Sequence, residues 1–188
     1  MTTVTVVRHG STEWSRLGRH TGRTDIALDD DGRRAAAALA PLLAARDYSF
    51  VLTSPLQRAR DTAALAGFGA ARVDDDLLEW DYGEYEGLTT AEIRSVRPGW
   101  LLWTDGCPGG EDAAAVGARV DRVIERARAA GGGVLLFAHG HVLRVLAARW
   151  IELPPTGGMR FALDPARPSR LGYEREVAVI QEWNRPRA

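Results

Sequence analysis

The stretch Val4-Thr5-Val6-Val7-Arg8-His9-Gly10-Ser11-Thr12-Glu13-Trp14 joins a short β-branched run to a charged turn. The valines favour a packed, pleated strand, whereas Arg8 and His9 are poor core residues. The strand is therefore expected to end at this charged pair. In open α/β sheets ligands bind at the carboxyl ends of the strands, so Arg8 and His9 are placed where they can contact a ligand. Gly10 then permits a tight turn close to a ligand. We predict that His9 is a nucleophile for phosphoryl groups.

A second apolar run carries the same arrangement. Residues 134–138 read Val-Leu-Leu-Phe-Ala and end in His139-Gly140-His141. Continuous hydrophobicity of this kind is typical of a central strand that is covered on both faces. If this strand and the first one are neighbours in the sheet, His9 and His139 face each other across one cleft.

The order of the predicted elements indicates an α/β fold. Strands are predicted at 3–7, 50–53, 72–73, 134–138, 159–163 and 176–183. Helices are predicted at 33–45 with a break at Pro41, at 55–66 with Ser54 as N-cap and Pro55 in the first turn, and at 89–96, 111–130 and 142–150. Residues 185–188 are expected to be a frayed tail. We predict one domain over residues 1–188, a three-layer α/β/α sandwich with a mostly parallel central sheet.

The composition excludes several classes of protein. All 24 basic residues are Arg, which excludes Schiff-base chemistry and a Walker P-loop, because both need Lys. Cys107 is alone, so there is no internal disulfide and no Cys-based zinc site. The net charge of -1 gives no nucleic-acid footprint, and no apolar stretch reaches membrane-spanning length. We expect a cytoplasmic chain with neither a nucleic-acid nor a membrane partner.

Phosphoryl transfer to an imidazole needs positive charge around the phosphate and an acid for the leaving group. Arg8 is adjacent to His9, Arg58 begins a helix at the end of a strand, and His139 offers a further donor. A zinc site built from His9, His139, His141 and an acid is an alternative. The acid is expected among the carboxylates of one segment, namely Glu79, Asp81, Glu84 and Glu86.

Five ordered motifs resemble those of the histidine phosphatase superfamily, in its phosphoglycerate-mutase-like branch. They are VRHGSTEW at 7–14, GRHTG at 18–22, TSPLQRARDTA at 53–63, LEWDYGEYEG at 78–87 and FAHGH at 137–141. The resemblance implies a phosphoglycerate-mutase-like fold and a phosphatase that works without a metal or another cofactor.

By this resemblance, His9 would accept the phosphoryl group, and Arg8, Arg58 and His139 would form the phosphate pocket. Glu79 would protonate the leaving group and then activate water. Because Glu79 must be protonated to act as an acid, we expect a mildly acidic optimum. The positions implied to contact the substrate are Ser15, Thr21, Gly22, Tyr82, Gly140 and His141.

Two departures separate this chain from the mutases of the branch. Ser15 and His141 stand where the mutases carry Asn, and the segment 87–133 lacks the Lys and the Arg pair that hold a phosphoglycerate carboxylate. The pattern is most similar to the acid phosphatase and sugar-bisphosphatase subgroup. A hydrolase of small phosphomonoesters, sugar phosphates or sugar bisphosphates, is therefore favoured.

The alternatives are a phosphoglycerate mutase and a non-catalytic member that binds a phosphorylated ligand. A homodimer is left open. Glu111, which follows Gly110, either borders the mouth of the pocket or marks a helix N-terminus with a dipole-matched acid.

Overall fold

The computed structural model describes residues 2–186, so the predicted tail at 185–188 lies partly outside the described residues. Its sheet has six strands in the order β3-β2-β4-β1-β5-β6. Among these strands only β5 runs against the direction of the others, which confirms a mostly parallel sheet. The strands are β1 (Thr3–Arg8), β2 (Phe50–Thr53), β3 (Arg72–Val73), β4 (Gly133–Ala138), β5 (Pro168–Glu174) and β6 (Val177–Glu182).

Eight α-helices are formed by the described residues, and short 3₁₀ segments occupy 75–77, 83–85 and 155–160. None of these helices is both long and apolar enough to cross a membrane. The helices are α1 (Glu13–Arg16), α2 (Asp30–Ala37), α3 (Ala40–Ala44), α4 (Gln57–Leu65), α5 (Thr90–Val96), α6 (Leu102–Asp105), α7 (Ala113–Ala130) and α8 (Gly140–Trp150).

The two faces of the sheet are covered by different helices. Alternate side chains of β4 point to opposite faces, as the period of a strand requires. Val134 and Leu136 pack into a cluster with α7 and α8, whereas Leu135 and Phe137 pack into a cluster with α2, α3 and α4. The predicted three-layer α/β/α sandwich is therefore confirmed, and β4 is buried on both faces.

The last predicted strand pair is partly wrong. Residues 159–163 form no strand, because the carbonyls of Gly158 and Met159 accept hydrogen bonds from the Arg144 guanidinium instead of a ladder partner. The strand beside β1 is Pro168–Glu174, which we did not predict. The strand predicted at 176–183 is confirmed as β6.

Several helix boundaries differ from the predicted ones. The predicted break at Pro41 is confirmed, since α2 ends at Ala37 and α3 restarts at Ala40. Ser54 does not cap α4, which begins two residues after Pro55, because the Ser54 hydroxyl is bonded to His139. Helix α7 begins at Ala113 rather than at 111, since the Asp112 side chain accepts the Ala115 amide and caps it.

The turn after β1 depends on close backbone contact. A Cβ atom on Gly10 would collide with the carbonyl oxygen of Gly32 at the start of α2. The Gly10 amide donates to the Thr62 hydroxyl of α4 at 3.0 Å, and that hydroxyl in turn donates to the Arg58 carbonyl. The residues that follow β1 are thus fixed to the helix that carries Arg58.

Candidate active site

The carboxyl ends of β1 and β4 bring two histidines together. The strands are parallel neighbours with Arg8 paired to Ala138, and the His9 amide donates to the Ala138 carbonyl at 2.9 Å. His9 and His139 follow at the next position, and their ring centroids are 5.2 Å apart. The predicted juxtaposition of the two histidines is confirmed.

A cavity opens beside His9, and most of the predicted site residues line it. Among the described residues, Arg58, His139 and Gly22 lie outside its wall, while Arg144 and Leu163 are additions that we did not predict. The wall is formed by Arg8, His9, Ser15, Thr21, Glu79, Tyr82, Gly140, His141, Arg144 and Leu163.

The His9 ring is held in one tautomer. Its Nδ1 lies 2.6 Å from the Gly10 carbonyl oxygen, and since a carbonyl only accepts, Nδ1 carries the proton. Burial lowers the pKa of His9 well below its usual value, and the nearby Arg58 and Arg8 cations lower it further. The ring is therefore neutral, with the lone pair of Nε2 available for attack.

Arg8 supplies an unused donor at the cavity wall. Its Nη1 donates to the Leu163 carbonyl at 2.6 Å, whereas its buried Nε has no hydrogen-bond partner among the described residues. A Cβ atom on Gly140 would lie only 3.3 Å from that Nε, so the glycine leaves room for the guanidinium. Arg8 and the N-terminus of α8 thus meet at the cavity, an arrangement that suits an anion.

Arg58 is fully buried behind the wall. Its guanidinium donates to the carbonyls of Thr21, Gly22 and Thr24 at 2.9 to 3.0 Å, and its Nε donates to His139 Nδ1 at 3.2 Å. The Arg58 side chain therefore stabilises the loop whose Thr21 lines the cavity. Direct contact of Arg58 or Gly22 with a phosphate stays a prediction.

His139 uses both ring nitrogens within the protein. Because Nδ1 accepts from Arg58, the proton is on Nε2, which donates to the Ser54 hydroxyl at 2.7 Å. Burial lowers the pKa of His139 well below its usual value, and the Arg58 charge lowers it further. The neutral ring helps to orient the Arg58 guanidinium through this hydrogen bond. The contact of His139 with phosphate stays a prediction.

Glu79 is the one member of the four candidate acids that lines the cavity among the described residues. Its carboxylate accepts backbone N–H groups from Trp80 at 2.9 Å, from Val142 at 2.9 Å and from His141 at 3.0 Å. The last two amides belong to the first turn of α8, where the helix dipole is positive. The carboxyl group is therefore fixed in position in the wall of the cavity that His9 also lines.

The other candidate acids have different contacts. Asp81 forms an exposed ion pair with Arg23. The carboxylate of Glu86 accepts the amides of Gly22 and Thr24, so it stabilises the same loop as Arg58 does.

Tyr82 and His141 form a hydrogen-bonded pair in the wall, with the Tyr82 hydroxyl 2.6 Å from His141 Nδ1. Burial raises the pKa of Tyr82 well above its usual value, and the Glu79 charge raises it further, so the hydroxyl keeps its proton and donates it. Burial lowers the pKa of His141, and the Arg144 charge lowers it further. His141 is neutral and carries its own proton on Nε2.

Arg144 is the cation that sequence reasoning missed. Its guanidinium donates to the carbonyls of Gly158 and Met159 and lies 4.7 Å from the centre of a Trp103 ring. None of the ion pairs among residues 2–186 involves it, so its charge is open to the cavity. Its spacing of four residues from Gly140, which places both on one helix face, is the signal that could have found it.

The zinc alternative lacks a set of ligands among residues 2–186. Within the part of the chain that the structure describes, no group of three or more His, Cys, Asp and Glu residues is arranged to hold a metal ion. Four of the ring nitrogens are already hydrogen-bonded within the protein. The partners are Gly10 for His9 Nδ1, Arg58 and Ser54 for the two nitrogens of His139, and Tyr82 for His141 Nδ1.

Comparison with known protein families identifies the family of the chain. The sequence profile of the histidine phosphatase superfamily (branch 1) matches residues 4–186. The chain belongs to this superfamily. The match confirms the resemblance of the five motifs, and it covers nearly the whole of this histidine phosphatase.

Two relatives of this histidine phosphatase are named as phosphatases. It is 44% identical to an acid phosphatase of Mycobacterium tuberculosis, over 93% of this chain and 90% of that protein. It is 35% identical to sedoheptulose 1,7-bisphosphatase of Saccharomyces cerevisiae, over 79% of this chain and 67% of that protein. These relatives agree with the predicted subgroup.

Solved structures confirm the fold. A Mycobacterium tuberculosis protein aligns with a TM-score of 0.93 at 42% identity, over 97% of each chain. A mycobacterial glucosyl-3-phosphoglycerate phosphatase aligns with a TM-score of 0.89 at 29% identity, over 99% of this chain and 100% of that one.

We expect acidification below pH 6.5 to destabilise this histidine phosphatase. Folding lowers the pKa values of His9, His139 and His141 well below their usual values, and it also lowers that of His20, so the unfolded state binds more protons below pH 6.5 and stability falls with the pH. Each such histidine lowers the free energy of unfolding by about 1.4 kcal/mol per pH unit until its own folded-state pKa is reached. Urea unfolding at pH 7.5, 6.5 and 5.5 measures the slope.

The matched control for this slope is His139→Asn, which removes one of these imidazoles. Its unfolding free energy should fall less steeply between pH 6.5 and 5.5 than that of the wild type. A wild-type unfolding free energy that does not change over this interval would show that the imidazoles are not held neutral.

Proposed function

We propose that this protein hydrolyses small phosphomonoesters through a phosphohistidine on His9, with Glu79 as proton donor and without a metal. One observation carries the proposal. Among residues 2–186, a neutral imidazole with a free Nε2 and a fixed carboxyl group line the same cavity, and the Arg8 Nε between β1 and the N-terminus of α8 has no hydrogen-bond partner. The groups that the proposal needs as nucleophile, acid and anion site thus lie at one cavity, which supports it.

In the first step, His9 Nε2 attacks phosphorus and the bond between phosphorus and the ester oxygen breaks. The leaving alkoxide takes the proton of the Glu79 carboxyl group. Negative charge on the transferred group is stabilised by Arg8 and by the N-terminal end of α8 at Gly140.

In the second step, the Glu79 carboxylate takes a proton from water as the water oxygen attacks phosphorus. The bond between phosphorus and Nε2 then breaks, inorganic phosphate leaves, and His9 returns to its neutral form. Glu79 is protonated again, so the cycle closes with the residues in their starting states.

The substrate class is proposed from the wall and from the relatives. Tyr82, His141 and Arg144 present polar and cationic groups to the part of the substrate that lies beyond the scissile phosphate. Such a surface suits a hydroxylated, anionic molecule, and two relatives are named as phosphatases of sedoheptulose 1,7-bisphosphate and of glucosyl-3-phosphoglycerate. Sugar phosphates and sugar bisphosphates are therefore the proposed substrates.

Two other functions are tested against this one. A phosphoglycerate mutase would transfer the phosphoryl group back to an organic acceptor, and a non-catalytic binder would retain ligand without turnover. Arg144 is the one cation that α8 contributes to the described cavity wall, and it is no substitute for the Lys and Arg pair of the mutases.

The test is a screen of sugar monophosphates and bisphosphates by phosphate release, with kcat/KM as the readout, repeated in the presence of a chelator. We expect turnover of sugar phosphates that the chelator leaves unchanged, and no interconversion of 3-phosphoglycerate when bisphosphoglycerate is present. Loss of turnover in chelator, or interconversion of phosphoglycerates that exceeds hydrolysis, would contradict the proposal. Binding without any turnover would favour the non-catalytic alternative.

A further inference from the structure

A buried arginine outside the cavity wall holds the segment that carries Glu79. Arg119 lies on α7, and its guanidinium donates to three carbonyls in this segment, those of Asp76 at 2.9 Å, Leu78 at 2.6 Å and Glu79 at 3.1 Å. The same group donates to both carboxylate oxygens of Glu111, at 2.8 and 3.0 Å. Of the five hydrogen bonds of this side chain, three thus go to the backbone of residues 76–79 and two go to the Glu111 carboxylate.

Glu111 holds the same segment from the other side, and we call Arg119 and Glu111 together the clamp. Its carboxylate accepts the Asp81 amide at 2.9 Å, and its backbone carbonyl accepts the Trp80 indole N–H at 2.9 Å. Its own amide donates to the Asp81 carbonyl. Glu111 is therefore neither at the mouth of the described cavity wall nor in α7, and it ties residues 80 and 81 to Arg119.

The clamp holds the segment that carries Glu79, and the proposed proton transfer depends on the position of the Glu79 carboxyl group. Side chains of Glu111 and Arg119 are largely buried, with 17% and 9% of their surfaces exposed. A buried ion pair of this kind contributes little net stability compared with apolar residues of similar volume, so stability alone is a weak reason for it. General acid catalysis, in contrast, depends on the donor lying within hydrogen-bond reach of the leaving oxygen.

We infer that Arg119, oriented by Glu111, is a positioning residue for the proton donor. Arg119 fixes the backbone of residues 76–79 and Glu111 holds residues 80 and 81, so that the Glu79 carboxyl group stays against the amides of His141 and Val142 and faces the leaving group. Arg119 itself does not line the described cavity, and its hydrogen bond to Glu79 goes to the backbone carbonyl and not to the carboxyl group. The inference rests on the proposed role of Glu79 as the acid.

The test compares leaving groups. An aryl phosphate such as 4-nitrophenyl phosphate departs without a proton, whereas an alkyl phosphate needs one. Arg119→Lys keeps the charge but replaces the planar fork by a point donor that cannot bridge three carbonyls and a carboxylate. We expect kcat/KM to fall about 100-fold for alkyl phosphates and only a few-fold for 4-nitrophenyl phosphate, since a small misplacement of a catalytic group has this effect.

The control is Arg122→Met, on the same helix, which removes an exposed ion pair with Asp76 and should change neither value. Glu111→Gln is the second variant and should show a smaller loss of the same kind, also confined to alkyl phosphates. It carries the test if Arg119→Lys does not fold.

An equal loss of kcat/KM for aryl and alkyl phosphates would mean that Arg119 only stabilises the fold, and this would overturn the inference. Glu79→Gln serves as the reference in the same series. If Glu79→Gln itself shows no dependence on the leaving group, the proposed acid is wrong and the inference falls with it. A selective loss in Glu79→Gln but not in Arg119→Lys or Glu111→Gln would overturn the inference alone.

Discussion

Replacement of His9 by Ala is expected to lower kcat for phosphomonoester hydrolysis by a factor on the order of 10⁴ to 10⁶, since loss of a covalent nucleophile removes the reaction path itself. The expected size follows from the position of the ring. Its Nδ1 proton is held by the Gly10 carbonyl, and Nε2 is the free nucleophilic nitrogen of a neutral ring at the cavity wall. Steady-state assays with 4-nitrophenyl phosphate and a sugar phosphate measure the effect.

The His9→Ala variant should remain folded, because the Gly10 amide keeps its bond to Thr62 and the strand pairing of β1 is unchanged. Urea unfolding at pH 7.5 is the control, and it should give a cooperative transition. A folded variant whose kcat lies within ten-fold of the wild type would show that His9 is not the nucleophile.

Replacement of Glu79 by Gln is expected to lower kcat/KM by about 10² to 10⁴ for alkyl phosphates, the range that general acid catalysis contributes. For 4-nitrophenyl phosphate, kcat/KM should fall much less, because this leaving group needs no proton. The value of kcat should fall for both substrates, since Gln cannot take a proton from water in the second step. Both constants are measured over one series of esters.

The substitution also disturbs local hydrogen bonds, which calls for a control. The Glu79 carboxylate accepts three amides, and a Gln side chain turns an N–H group toward one of the donors, at a cost of about 1 to 3 kcal/mol. Urea unfolding separates this cost from the kinetic effect. An equal loss of kcat/KM for aryl and alkyl esters would contradict the assignment of Glu79 as the acid.

The main features of the site could be predicted because they are local in sequence. Each of two apolar runs ends in His-Gly, and parallel neighbours bring their carboxyl ends to one edge, which places His9 beside His139. The choice of Glu79 among four acids came from the resemblance, and the structure agrees in giving Glu79 alone of the four a place in the described wall.

The features that were missed depend on contacts between distant segments. In the sequence, Arg144 and Arg119 resemble ordinary surface residues of amphipathic helices. Only the folded chain shows that Arg144 donates to the carbonyls of residues 158–159 and Arg119 to carbonyls within residues 76–79. Strand β5 was missed because Pro168, Arg170 and Gly172 interrupt the alternation that predicts a strand.

The position of Arg58 also required the structure. Its place at the start of α4 predicts a group aimed at the cavity, but its N–H groups are directed to loop carbonyls and to His139. Sequence reasoning gives the end of the helix at which a side chain lies, while the neighbours that compete for its donors come from other parts of the fold.

The most direct test of the proposed mechanism is to look for the phosphoryl group on His9. The Glu79→Gln variant is mixed with 4-nitrophenyl phosphate, quenched in alkali during turnover, digested and analysed by peptide mass spectrometry. We expect one phosphoryl group on the peptide that contains His9, lost on treatment with acid and absent from the variant that also carries His9→Ala. Phosphate on another residue, or turnover with no phosphorylated peptide at all, would contradict it.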